Sequence, residues 1–180
     1  MNLNNQNIAF RQLGKHDAPV FQALRQEVTR ENPVPMGLTL KEELARALVG
    51  FEAQLSASPP DAVFGAFIEG HLAATAAVSL VSRFASSQHK MSMWGVFTSP
   101  RYRRRGLSRQ VVGLAVEHAF SNGIQRVNLQ VYTPNEPAIS MYKSIGFNEY
   151  VIEPDAVYID GCYYDGVQMT LVSSSLELQH

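Results

Sequence analysis

Between Lys90 and Phe120 the apolar pattern of the chain changes period, and that change limits the fold more than any other feature. Lys90 to Thr98, KMSMWGVFT, reads as a strand, whereas Leu107, Val111, Leu114, Ala115 and His118 recur at helical spacing. The connection is TSPRYRRRGLSRQ, with Arg101, Arg103, Arg104 and Arg105 directly ahead of Gly106. A strand that feeds a helix through so short a turn needs a sheet layer and a helix layer packed together. It also aims unpaired backbone N–H groups and the positive helix end at one point. Gly106 lets the backbone approach a ligand closely, and arginines around it add charge-assisted hydrogen bonds, so the turn is a candidate anion site. A solvated basic turn would produce the same run of arginines.

Charge distribution separates a local site from a long polyanion surface. The 180 residues carry 15 Lys and Arg against 16 Asp and Glu, a net charge of -1, and five of the basic residues fall between Arg101 and Arg109. No broad basic face or aromatic-basic interleaving remains to follow a phosphate backbone, so nucleic acid is not an expected partner. An apolar content of 46% suits one well-packed domain, expected over residues 1–172 with a short tail at 173–180. Cys162 is the only cysteine, which excludes an internal disulfide. The five histidines are dispersed and no H-E-x-x-H or C-x-x-C occurs, so no metal site is expected. MNLNNQNIAFRQ lacks signal-peptide character and no apolar run reaches spanning length; no membrane association and a cytoplasmic location are the expectation.

Along the chain, Ile8 to Leu13 reads as a strand, and Asp17-Ala-Pro19 opens a helix with Phe21, Leu24 and Val28 on one face, ending near Asn32-Pro33. Glu31 to Leu38 is a loop. Thr39 and Glu42 have capping-box spacing ahead of a second helix that carries Leu44, Leu48, Phe51 and Leu55. VFGAFIEGHLAATAAVSL reads as two strands turned at Glu69-Gly70. Asn122-Gly123 stops the basic-turn helix. Arg126 to Tyr132 is a strand, Pro137 to Ile145 a helix stopped by Gly146, and Phe147 to Glu153 and Tyr164 to Leu171 two last strands joined by a turn at Asp160-Gly161. The order β-α-α-β-β-β-α-β-α-β-β implies an α/β (α+β) domain with a mixed, mostly antiparallel sheet of about seven strands flanked by about four helices.

Three blocks carry a resemblance. Arg103-Arg-Arg-Gly106-Leu-Ser108 follows a strand, NEPAISMYKSIGF spans Asn135 to Phe147, and DGCYYDGVQMTL closes the chain. In this order they resemble the GNAT family of N-acetyltransferases, whose signature is Arg or Gln, two residues, Gly, one residue, then Gly or Ala; Ser108 departs from the last position. The resemblance implies acetyl-CoA as co-substrate and an amine of a small molecule or peptide as acceptor, and dimers are common in the family. It assigns the backbone of Val96, Phe97 and Thr98 to the acetyl-pantetheine arm, where the fourth strand diverges from the fifth. It assigns Arg103, Arg104, Arg105, Gly106, Leu107, Ser108 and Arg109 to the pyrophosphate, and Asn135 to the pantetheine or the support of its helix. Tyr142 is placed near the thioester sulfur, as general acid to the departing thiolate.

The proton-accepting group is the point of departure. Gln130 stands where the ribosomal-protein alanine acetyltransferases carry a glutamate, and glutamine is no base. Glu31 and Glu136 are the candidates instead, while a missing base is also what a non-catalytic acyl-CoA-binding module would show. The acceptor pocket is expected from Thr29 to Leu40 and Asp155 to Tyr164, where Pro33, Pro35, Met36, Tyr158, Tyr163 and Tyr164 suit a mixed apolar and cationic small molecule or a peptide N-terminus. Trp94 is read as core or as a wall of that pocket.

Overall fold

A computed structural model describes residues 7–174. Its seven strands are β1 (Ile8–Gln12), β2 (Ala62–Ile68), β3 (His71–Leu80), β4 (Lys90–Thr98), β5 (Arg126–Tyr132), β6 (Asn148–Ile159) and β7 (Cys162–Val172). They form one sheet in the order β1-β2-β3-β4-β5-β7-β6. Neighbours run antiparallel except β4 and β5, which pair in parallel over only Lys90↔Arg126, Met91↔Val127 and Ser92↔Asn128. The helices are α1 (Ala18–Glu31), α2 (Leu40–Leu44), α3 (Leu48–Leu55), α4 (Leu107–Ser121) and α5 (Glu136–Ile145). No helix among the described residues is long and apolar enough to cross a membrane.

Two apolar clusters hold the helices to the sheet. Leu107, Val111, Val112 and Ala115 of α4 pack with Ile139 and Tyr142 of α5 and with Met91, Val127 and Leu129 of the strands. In a second cluster Phe21, Leu24 and Val28 of α1 join Phe51 and Leu55 of α3 and Phe97 of β4. Phe21 and Phe51 meet edge to face at 6.0 Å, an arrangement the aromatic quadrupole favours. Both hairpin turns combine a left-handed residue with glycine: Glu69-Gly70 (φ 50°, 83°) and Asp160-Gly161 (φ 51°, 87°).

Two expected boundaries change. The helix expected from Thr39 through Leu55 is two helices, although Thr39 does accept from the Glu42 backbone and forms the capping box. Leu44 and Leu48 satisfy the helical interval yet are 49% and 37% exposed, because the chain turns at Ala45–Ala47. Glu43 is tied to Arg25 of α1, whereas Phe51 and Leu55 are drawn to the sheet-facing side of α1, and one straight helix does not serve both. The last two strands extend beyond Phe147–Glu153 and Tyr164–Leu171, since bulges at Glu149/Val151 and Glu153/Val157 let the edge strand absorb Pro154 and continue to the turn. Residues 175–180 of the expected tail lie outside the described residues, and the Ser173 N–H donates to the Gln125 carbonyl at 3.0 Å.

Candidate functional site

The parting of β4 from β5 creates the site. Beyond Ser92 the two strands have no recorded pairing, so alternate backbone groups on that side of β4 face a gap. A bulge opposite Ala76 sharpens the divergence: Thr75 pairs with Phe97 and Ala77 with Trp94, leaving Gly95 and Val96 as the extra pair. Gly95 is left-handed at φ 63°, and its carbonyl accepts from the Thr75 hydroxyl at 2.8 Å. The gap opens into a cleft of about 1060 Å³ whose walls include Val96, Phe97, Thr98, Arg103, Arg104, Gly106, Leu107, Ser108, Arg109, Asn135 and Tyr142. Eleven of the twelve residues assigned by resemblance therefore meet in one place.

Arg105 is the exception. Its guanidinium lies 5.5 Å from the Tyr102 ring centroid, and its side chain is not part of the cleft wall. After extended Arg103, the turn has left-handed backbone at Arg104 (φ 63°) and Gly106 (φ 75°), and leads into α4. Such a turn points successive N–H groups into one concavity. A Cβ on Gly106 would meet no atom within 4 Å, so the space beside it is open to a ligand. Arg103 is gripped by Glu31 (2.9 and 2.5 Å), and Arg109 by the hydroxyl and carbonyl of Ser144. Two of the three arginines that this turn and helix start give to the cleft wall thus already have protein partners. Ser108, the departure from the motif, forms a 2.5 Å hydrogen bond with the Thr98 hydroxyl and ties the helix start to the strand end.

Tyr142 lies on α5 with 6% of its surface exposed and its ring edge-on to Phe147 at 5.7 Å. Burial alone pushes its phenol well above the ordinary tyrosine range. Asn135 caps α5 through its carbonyl, which accepts from the Ala138 and Ile139 N–H groups, both at 3.1 Å.

The two carboxylates expected as proton acceptors stand apart from the cleft wall. Glu31 is held by Arg103 and Glu136 is exposed on the first turn of α5; neither these two nor Glu153 is in the cleft wall, but Glu153 is hydrogen-bonded to side chains that are. Gln130 and Gln168, both in the cleft wall, donate through Nε2 to Oε2 of Glu153 at 2.8 and 3.3 Å. The sheet order makes this contact: Gln130 pairs with Gln168 across β5 and β7, and Glu153 pairs with Gly166 across β6 and β7. Gly166 is bare for a reason, since a Cβ there would run into Gln130 Nε2 and lie 2.9 Å from Ala156 Cβ. Among the described residues, Glu153 Oε1 accepts no hydrogen bond. Glu153 also contributes, after burial, to raising the Tyr132 phenol.

The end of the cleft around Pro35 and Met36, where the acceptor is expected, differs most from expectation. Pro35 and Met36 line the cleft, and Tyr132 packs against left-handed Gly37, where a Cβ would come within 2.8 Å of the ring. Tyr158 and Tyr163 stack on each other at 4.7 Å in the exposed β6–β7 hairpin, and neither they nor Tyr164 reach the cleft. Arg25, Arg46 and Gln54 do reach it, as does Trp94, whose indole donates to Ser79 at 3.1 Å. The strand glycine Gly95 was readable as a bulge signal in MWGVF; Arg25, Arg46, Gln54 and Glu153 had no local signal.

Comparison with known proteins bears on the whole arrangement. The profile of the acetyltransferase (GNAT) family matches residues 21–147. A prophage-derived N-acetyltransferase of Bacillus subtilis is 28% identical over 80 residues, 44% of this chain and 45% of that protein. The ribosomal protein bS18 alanine N-acetyltransferase of Salmonella typhimurium is 31% identical over 61 residues, 34% of this chain and 41% of that protein. The match thus spans less than half the length of these curated relatives. A Salmonella typhimurium structure, solved with its cofactor acetyl-CoA, superposes with a TM-score of 0.75 at 16% identity, covering 92% of this chain and 93% of that one.

Proposed function

Because the chain belongs to the acetyltransferase (GNAT) family, we propose that it transfers an acetyl group from acetyl-CoA to a primary amine of a small molecule or peptide, by direct attack within a ternary complex. The observation that carries this reading is the joining of two features in one cleft. Strand edge groups sit beside the Gly95 bulge, and the open anion turn at Gly106 lies at the mouth of the same gap.

In this reading the N–H groups from Arg104 to Arg109 hold the pyrophosphate, and the pantetheine arm runs along Val96, Phe97 and Thr98 as an added edge. Backbone donors at the bulge stabilise the negative charge that develops on the acetyl oxygen, without reorganising as it forms. An amine is mostly protonated at neutral pH, so a base has to accept its proton. Glu153, oriented by the Gln130 and Gln168 amides and with Oε1 open, takes that proton directly or through water. It removes the reason to prefer a non-catalytic acyl-CoA-binding module, which rested on the lack of a carboxylate.

Tyr142 faces the leaving sulfur. The thiolate of a thiol of pKa about 8.5 is a weaker base than the phenolate of a phenol raised above 10, so Tyr142 stabilises the thiolate by donating a hydrogen bond and keeps its own proton at the end of the reaction. The test pairs calorimetric titration of acetyl-CoA with thiol release across a panel of amines. Saturable binding and turnover of at least one amine are expected; no binding at millimolar acetyl-CoA would overturn the reading.

A further inference from the structure

We propose that the acceptor amine also carries a carboxylate, and that Arg46 is the group that docks it. The inference rests on the acetyltransferase reading of the same cleft and names its substrate class. The charged side chains that form the cleft wall itself are all arginines; Glu153 stands behind Gln130 and Gln168, outside that wall. Arg103, Arg104 and Arg109 stand at the helix start that receives the donor's phosphates, which leaves Arg25 and Arg46 at the acceptor end with Met36, Gln54 and Trp94.

These two arginines are not equivalent. Arg25 is 4% exposed and holds both oxygens of fully buried Glu43 in a fork, Nε to Oε1 and Nη2 to Oε2, each at 2.8 Å. That single negative charge is consumed by Arg25. Arg46 reaches the same carboxylate only at 3.5 Å, through Nη1, and its side chain is 31% exposed. Three charges, two positive and one negative, therefore leave one positive charge on the cleft wall. Arg46 is also preorganised: its guanidinium lies 4.4 Å from the Phe51 ring centroid, and its backbone carbonyl accepts from Gln22 Nε2 at 3.1 Å where α2 breaks into α3. A fixed planar fork beside aromatic walls is a carboxylate receptor, and its field is less screened there than in open water.

Gln54 supplies an independent sign of a polar ligand. Its Oε1 is buried without a hydrogen-bond partner, and the residue borders both the main cleft and a smaller void of about 270 Å³ shared with Trp94. A buried acceptor without a donor is costly unless a ligand or water supplies one. A small amino-carboxylate brings both complements, an anion for Arg46 and N–H donors for Gln54. Polyamines and aminoglycosides bring extra positive charge to a wall that is already positive, so the cationic acceptor expected from the loop composition is disfavoured.

The test uses the full chain and four sets of probes: amino acids, dipeptides, the primary amides of both, and spermidine. Thiol release gives KM, and calorimetry on protein saturated with coenzyme A gives Kd without turnover. Acids are expected to bind roughly ten- to a hundredfold more tightly than their amides, the range of one charge-assisted fork. Whether amino acids or dipeptides lead identifies the source of the carboxylate. Arg46→Gln should bring the acid-to-amide ratio close to one, and Arg46→Lys should recover part of it by restoring charge without the fork. Amides equal to acids, a preference for spermidine, an unchanged ratio in R46Q, or no carboxylate bound at millimolar concentration would each overturn the inference. Failure to bind acetyl-CoA would instead overturn the acetyltransferase reading beneath it.

Discussion

Gly106 and Gly123 sit at opposite ends of α4 and provide a matched pair for testing the anion turn. Both are left-handed, at φ 75° and 79°, and a Cβ on either would meet no atom within 4 Å. Replacing either with alanine therefore adds backbone strain and no clash, about 1–2 kcal/mol for an L-residue held in the left-handed region. For a chain of this length that lowers Tm by about 2–8 °C, equally in the two variants. Only Gly106 lines the cleft, however. A methyl group there enters the space through which phosphate oxygens reach the helix N–H groups. Losing one charge-assisted hydrogen bond costs about 1.5–3 kcal/mol, or roughly ten- to a hundredfold in Kd for acetyl-CoA. Scanning calorimetry measures the first effect and isothermal titration, run well below both transitions, measures the second. The reasoning is refuted if Gly106→Ala loses stability but binds acetyl-CoA like the parent, or if Gly123→Ala weakens binding as much.

Three further outcomes follow from individual groups. Tyr142→Phe keeps the ring on Phe147, so Tm should hold while kcat falls by about 10²-fold. Burial raises this phenol, so the unfolded chain ionises first and stability falls as pH rises past about 10; that alkaline loss should be smaller in the variant, and equal losses would contradict the burial argument. Glu153→Gln should reduce turnover at neutral pH by about 10²- to 10⁴-fold and recover as rising pH deprotonates the amine itself; a pH profile parallel to the parent's would remove Glu153 from the proton path. Asp17 is held below the usual carboxylate range, first by its hydrogen bonds from Arg11 and then by the Gly14 N–H. Its stabilisation is present above about pH 4 and lost as pH falls through the lowered value, so Asp17→Asn should cost about 1–3 kcal/mol at neutral pH and flatten the acid limb in urea titrations; identical curves would refute this.

What could be read from the chain, and what could not, divides by the range of the forces involved. The strand from Lys90 to Thr98, the cap at Thr39, the stop at Asn122-Gly123 and the left-handed turns are set within a few residues, and each lies where its local pattern puts it. The break between α2 and α3 is invisible locally, because Leu44 and Leu48 keep the helical interval while a tertiary pair, Arg25–Glu43, decides the geometry. The arginine run overstates the charge turned to the cleft: Arg103 and Arg109 are held by the protein and Arg105 lies on Tyr102, while Arg104 lines the wall.

The carboxylate was hidden for a different reason. Glutamine at position 130 looks like the loss of a base when the fifth strand is read alone, but the chain inserts β7 between β5 and β6, and a side chain long enough to cross β7 can recruit an acid from the strand beyond. Crossing requires that β7 present no side chain at the crossing point, and Gly166 meets that condition. A glutamine on β5, a glycine facing its path on β7 and a glutamate on β6 are therefore one device distributed over three strands. Its only trace in the sequence is a glycine within a strand, which weakens the strand unless something must pass close to it. Gln130 passes there and Ala156 closes the other side, so a side chain at position 166 displaces the glutamine whatever else it does, and the path to Glu153 depends on the glycine.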